Sequence, residues 1–423
     1  MNIMTRLRAA SARSRRGLRI ALRRMRAPWQ SPLVALLAVL VPVSVYAQDL
    51  PSSPVSLAGG RIVLGGDLSF STTPQDDADG AWFNYTDYAH NTLRLSRVGV
   101  TADLRLTDRL SFLAEIRSEN GDAVRPYALF ARVHPWKGRA IDIQAGLIPP
   151  TFGAFSRRIY GDGNPLIGYP LAYQYLTSLR SDAIPADTNE LLQMRARGWR
   201  PSYRLGAQTV GTGVPLVSAF RWDTGVQVRV GSERLMISGA VTNGTLSDPR
   251  TRDNNAGKQV AGRVQWRPTA GLVVGSSAAG GQFLSDAIPM VPAGSHHSMQ
   301  RALGIDAEYS RDHWLVRGEG VWSQWQMPTL AKPITAASAF VEGTYKVLPG
   351  LFAAGRIDRL SFERLMSPTL NRPWDAPVTR LETGAGFYIR RNLLAKGTYQ
   401  HNWRGGGLIR SRGLVALQLH FWL

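Results

Sequence analysis

Arginine is the residue type in this chain best placed to do chemistry, and that chemistry is recognition of anions rather than bond-making. Residues 149–220 hold Arg157, Arg158, Arg180, Arg195, Arg197, Arg200 and Arg204 against Asp162, Asp182, Asp187 and Glu190. Tyr160, Tyr169, Tyr173, Tyr175 and Trp199 are interspersed among them. Guanidinium groups in a confined aqueous passage raise the local concentration of anions and favour their transit. Catalysis would need a base beside a nucleophile, or a carboxylate cluster. The histidines are His90, His134, His296, His297, His313, His401 and His420, and His296-His297, between Ser295 and Ser298, is the one cluster. Adjacent side chains point apart in a strand, so the pair reads as a solvated loop, with adventitious metal binding as the other reading. There is no cysteine, which removes disulfides, thiolate metal sites and a lipid-bearing N-terminal cysteine. No Walker loop, dinucleotide fingerprint or zinc motif is present. Neither a cofactor nor an enzyme activity is expected.

The elements that must position these arginines show a period of 2. In 222–230, Trp222, Thr224, Val226, Val228 and Val230 alternate with Asp223, Gly225, Gln227 and Arg229. Successive side chains of a strand lie on opposite faces, so this segment has one oily face and one charged face. Val415, Leu417, Leu419, Phe421 and Leu423 alternate in the same way with Ala416, Gln418, His420 and Trp422. Sixteen segments read like this: 61–71, 98–106, 110–117, 127–134, 141–147, 221–230, 235–243, 260–267, 272–278, 303–309, 314–322, 337–347, 352–360, 379–389, 393–401 and 412–423. Short turns alternate with long polar connections, the longest being 149–220. Short turns on one rim and long loops on the other describe an antiparallel transmembrane β-barrel of about 16 strands. A closed barrel pairs every edge strand and satisfies the backbone in lipid. A soluble sandwich or propeller also alternates, but no 40-residue repeat is present, and charge rarely breaks the apolar faces.

The N-terminus supports export. Nine arginines precede residue 27, an apolar run spans Leu33 to Val45, and small residues end at Ala47 before Gln48. This is the layout of a Sec-type signal peptide cleaved between Ala47 and Gln48. Translation from Met25 rather than Met1 would give a shorter charged region. Ser14-Arg15-Arg16-Gly17-Leu18 brushes the twin-arginine pattern but lies far from the apolar run. The adjacent apolar run argues against a nucleic-acid-binding arm. Without the nine arginines, 41 basic residues face 30 acidic ones, a net +11 rather than +20. The expected organisation is a signal peptide over 1–47, a short periplasmic segment over 48–60 and the barrel over 61–423.

Positions opposite the oily faces should line the lumen. Arg132, Arg229, Arg263, Arg317 and Arg356 are among them, with acids such as Asp142, Asp306, Glu319, Glu342 and Glu382. Most should pair across strands and brace the wall, and the hairpin residues Glu308, Arg317 and Glu319 should pair with one another. Segment 149–220, the third long loop, is expected to fold inward as a constriction, because a loop this long in a compact domain is usually functional. The other reading is a solvated external loop with its own small core.

Leu95-Ser96-Arg97-Val98-Gly99-Val100 resembles the early strands of phosphate-selective porins and related bacterial porins. Ala145-Gly146-Leu147-Ile148-Pro149-Pro150-Thr151-Phe152-Gly153 resembles their exit from the fifth strand. Val241-Thr242-Asn243-Gly244, Arg317-Gly318-Glu319 and Ala354-Gly355-Arg356-Ile357-Asp358 are similar echoes. The resemblance implies a 16-stranded, trimeric diffusion channel in outer-membrane lipid, passing small hydrophilic solutes or anions. It does not carry over phosphate selectivity, because the family's arginine ladder and lysine cluster are not matched. Asn164-Pro165-Leu166-Ile167-Gly168-Tyr169-Pro170 has no counterpart in the family. Rival readings are a plugged structural barrel and an outer-membrane enzyme of lipase or protease type.

Overall fold

The computed structural model describes residues 54–423 apart from 75–82, 87–89, 137–139 and 289–297. The signal peptide with Ala47 and Gln48, and the His296-His297 pair, lie outside the described residues.

Sixteen antiparallel strands run in chain order around one sheet. They are β1 (Ile62–Thr72), β2 (Ser96–Arg105), β3 (Leu110–Glu119), β4 (Arg125–Val133), β5 (Ile141–Ile148), β6 (Asp223–Gly231), β7 (Leu235–Thr242) and β8 (Gln259–Thr269). Then come β9 (Leu272–Gln282), β10 (Met299–Arg311), β11 (Trp314–Trp325), β12 (Ile334–Leu348), β13 (Leu351–Phe362), β14 (Val378–Arg390), β15 (Leu393–Arg404) and β16 (Ser411–Trp422). Each pairs with its neighbours in sequence, and β1 pairs with β16 through Asp67↔Trp422 to Thr72↔Leu417, which closes the barrel. Below that seam β16 has ended, and a short strand, Val55–Leu57, pairs with Ile62–Leu64 instead. The segment expected to be a plain periplasmic lead-in thus extends the wall by one small hairpin.

Burial is inverted relative to a water-soluble sandwich. In β6, Val226, Val228 and Val230 are exposed, while Asp223 and Gln227 are buried. In β16, Val415, Leu417 and Leu419 are exposed, whereas His420 is fully buried. An apolar exterior over a polar interior is stable only where the exterior meets hydrocarbon. Aromatic side chains mark both edges of the belt. Trp266, Tyr309, Trp314, Tyr345 and Phe387 ring the short-turn rim, and Phe70, Trp322, Tyr399 and Trp403 the long-loop rim. Such girdles sit at the two membrane–water interfaces. Ile305, mid-strand in β10, is 69% exposed on this belt. Ile305→Arg should therefore cost about 2–4 kcal/mol of folded stability in a bilayer, read from denaturant-dependent folding into lipid vesicles. Equal stability of the two proteins would mean that this face does not meet lipid.

Strands β10, β11, β12 and β15 run three or four residues past the expected ends on the long-loop side, and β13, β14 and β16 one or two. Arg301 and Arg359 continue the outward faces of β10 and β13 there. Above the lipid the outward face can be charged, so alternation fades while the hydrogen-bond ladder continues.

Candidate functional site

A 16-stranded barrel at the usual spacing and tilt is roughly 30 Å across. Side chains from opposite walls cannot bridge that distance, so the middle is left to water or to a loop that folds inward. The connection from β5 to β6, residues 149–222, is such a loop. It leaves the wall at β5 and fastens to β13, β14 and β15, almost diametrically opposite in strand order.

The fastening uses the inward charges of that far wall. Lys396 Nζ donates to the carbonyls of Gly161, Asn164 and Leu166 at 2.9, 2.9 and 3.1 Å. Arg356 Nη2 donates to Gly168 O at 2.7 Å, and Gly168 N donates to Glu382 Oε1 at 2.8 Å. Arg380 Nη1 reaches Tyr169 O at 2.9 Å, and Leu171 N donates to Asp358 at 2.5 Å. The stretch Asn164 to Pro170 is therefore where the wall charges converge. Burying them is tolerable because Arg356 and Glu382 are paired with each other and Lys396, Arg380 and Asp358 are hydrogen-bonded to the loop backbone.

A second anchor holds the loop's start. Ala154 N and Phe155 N donate to Glu319 at 3.2 and 3.0 Å, and the Tyr173 hydroxyl donates to the same carboxylate. Gly153 has φ +74°, and a Cβ there would collide with the Tyr173 hydroxyl and with Glu319. Glycine is the residue that allows both the turn and the approach. Glu319 thus leaves the expected hairpin pairing, while Arg317 still meets Glu308 at 2.7 Å. The loop's apolar side chains, among them Phe155, Leu171, Tyr173, Leu179 and Leu192, form a buried core within the barrel and under the long-loop cap. The inward fold and the small core, weighed as alternatives from sequence, occur together.

The candidate arginines fall into three groups. Arg356 is fully buried between Glu342 at 3.1 Å and Glu382 at 2.6 Å, so it braces the wall and the loop. Arg180, Arg195, Arg197 and Arg200 belong to the loop's outer part. Arg180 is buried against Asp182 and the carbonyls of Pro201 and Thr209. Arg195 donates to the carbonyls of Asp375 and Gly405 at the long-loop rim. Arg197 is exposed, and Arg200 lies over the Trp199 ring at 5.0 Å. The third group faces the lumen nearer the short-turn end. Arg132 pairs with Asp142 at 2.6 Å, and Arg263 pairs bidentately with Asp306 at 2.6 and 2.8 Å. Arg158 and Arg317 both stand 3.7 Å from Glu342.

Arg157 is the exception in this last group. The residue is partly open to solvent though closely surrounded by protein, and no carboxylate engages it among the described residues. Burial by the surrounding wall, together with the like charges of Arg229 and Arg263, pushes it down to about 10. It stays charged at neutral pH, but its charge is destabilised in a way that an arriving anion would relieve. Arg229 also has no carboxylate partner among the described residues, since its cross-strand neighbour Asp142 is taken by Arg132. Composition could not single out Arg157, because Arg158 beside it looks identical in sequence.

Three cavities flank this zone. One of about 620 Å³ opens at the short-turn end beside Arg317, Lys346 and Tyr388. Two of about 500 and 300 Å³ share Phe220, Arg221 and Arg250 at the long-loop end.

Solved structures repeat this architecture. The trimer form of in-vitro folded OmpT, an outer membrane protein of Vibrio cholerae, aligns with TM-score 0.51 and 10% identity, covering 88% of this chain and 100% of that one. The chain has the fold of bacterial outer-membrane porins. Salmonella typhi OmpF, in complex with daunomycin, aligns at TM-score 0.52 and 12% identity over 86% of this chain and 97% of its own. An anion-selective porin from Comamonas acidovorans aligns at 0.52 and 10% over 86% and 99%. No family model and no curated protein sequence matches the chain. At such identities the porin-like barrel is common to all of them, and solute and selectivity must come from this chain's own residues.

Proposed function

We propose that this protein is a diffusion channel of the bacterial outer membrane for small hydrophilic solutes, with a preference for anions. The observation that supports the reading is Arg157, an exposed arginine with no acidic partner among the described residues, near enough to feel the charges of Arg229 and Arg263. A field of one sign inside low-dielectric walls favours the opposite ion. Like the OmpT trimer form and the anion-selective porin it resembles in fold, the barrel would work as a homotrimer and discriminate by charge. Planar-bilayer recording of the purified protein tests this directly. Stepwise conductance is expected, with a reversal potential displaced toward that of chloride in a KCl gradient. Stable insertion without conductance would favour a plugged barrel, and a displacement toward potassium would refute the anion preference.

A hydrolase reading has less support. A serine–histidine contact exists, Ser411 Oγ to His401 Nε2 at 2.9 Å, but the other ring nitrogen meets the Tyr399 hydroxyl at 3.2 Å. The carboxylate that would orient the imidazole and stabilise its cation is missing from that pair.

A further inference from the structure

The long-loop vestibule contains exposed arginines beside an aromatic wall, and the ion pairs of the barrel do not use those arginines. We propose that the cavity beside β3, β4 and β6 is a docking site for ring-bearing organic anions, with aromatic carboxylates as the simplest class. This rests on the channel reading above and adds a substrate class to it.

The cavity is about 500 Å³, enough for one substituted ring and its waters. One wall is aromatic: Tyr127 and Trp222 stand 5.1 Å apart between centroids, and Phe220 continues the surface. The Arg117 guanidinium lies 3.4 Å from the centre of the Tyr127 ring. It is buried between the Tyr127 and Tyr160 rings and held by Glu115, so it adds fixed positive charge behind the aromatic wall, and the ring surface open to a ligand is that of Trp222 and Phe220.

The charges are unbalanced. Arg125, Arg221 and Arg252 line the cavity, are exposed, and engage no carboxylate among the described residues. Two of the three acids nearby have a cationic partner, and the third, Asp122, is half-exposed beside a histidine. Glu119 takes Arg97 at 2.9 Å, Asp122 faces His90 at 3.2 Å, and Asp248 takes Arg250. Register sharpens the point. Arg125 is directly across from Arg117 in the β3–β4 ladder, and like charges so placed are destabilising. Glu115 accepts from Arg117 at 2.9 Å on its own strand, which leaves Arg125 without an internal acid. A carboxylate from solution would supply the missing charge while its ring lies along Trp222 and Phe220. A bare inorganic anion would use the arginines and waste the rings; a neutral aromatic would do the reverse.

The test compares benzoate, acetate and benzyl alcohol, added on the long-loop side of the protein in a planar bilayer carrying KCl current. Benzoate should interrupt the current at about a tenfold lower concentration than either of the others, one such factor corresponding to one additional good contact. Trp222→Leu, and Arg221→Gln with Arg252→Gln, should each remove that advantage. Arg311→Gln, at an exposed short-turn position, controls for loss of charge alone. Equal potency of benzoate and acetate would overturn the site and leave the channel reading standing. Calorimetric titration of the detergent-solubilised protein with benzoate needs no conductance. Binding there by a non-conducting protein would refute the channel and keep the site, and the absence of binding would refute the site.

Discussion

Arg157→Glu is expected to abolish or invert the chloride preference proposed for the channel. The substitution changes the lumen charge by two units beside Arg229 and Arg263. A unit charge several ångströms away in a partly wet passage is worth about 1–2 kcal/mol, so the anion-to-cation permeability ratio should fall by about tenfold or more. The effect should be largest in dilute KCl and shrink toward 1 M, where the screening length drops to about 3 Å. Reversal potentials in KCl gradients at two mean concentrations measure both. Arg195→Gln is the informative contrast. Arg195 and Arg197 look equally eligible in the sequence, yet Arg195 is held by carbonyls of Asp375 and Gly405 at the rim, and its loss should move the potential far less. If Arg157→Glu leaves the potential where it was, the constriction lies elsewhere.

Lys396→Met should give a larger and noisier open-channel current. Lys396 is buried and donates to three carbonyls of the loop, at Gly161, Asn164 and Leu166. Methionine keeps most of the side chain's bulk but has no donor. Each buried acceptor left unpaired costs about 1–3 kcal/mol, enough to favour local opening of that stretch over its packed position. The strand itself is insulated from the change, because the ladder of β15 with β14 and β16 uses backbone groups. Barrel content by circular dichroism should therefore be retained while the current changes. Glu382→Gln, at the next anchor, keeps an acceptor for Gly168 N and should give a smaller effect. A quiet, unchanged unitary current in Lys396→Met would show that the loop's core, with Phe155, Leu171 and Tyr173, holds it without the wall.

The wall of this protein is written in its sequence. Alternation of Val226, Val228 and Val230 with Gln227 and Arg229 states which face meets lipid, because successive side chains of a strand point to opposite faces and charge is costly in lipid. The sixteen strands and their order follow from that local rule together with the short turns. Their upper ends do not follow, since past the lipid edge the outward face of β10 is free to carry Arg301. The lumen is different in kind. Whether an inward arginine braces or attracts depends on which acid happens to stand opposite, and that pairing crosses strands and loops far apart in the chain. Arg356 is neutralised by Glu342 and Glu382, Arg263 by Asp306, and Arg157 by nothing among the described residues. The destination of residues 161–171 was likewise invisible, because it depends on Asp358, Arg380, Glu382 and Lys396 meeting backbone groups some 200 positions away. Local periodicity determined the barrel, and only tertiary contact, by pairing some charges and leaving others bare, decided where an anion would be drawn.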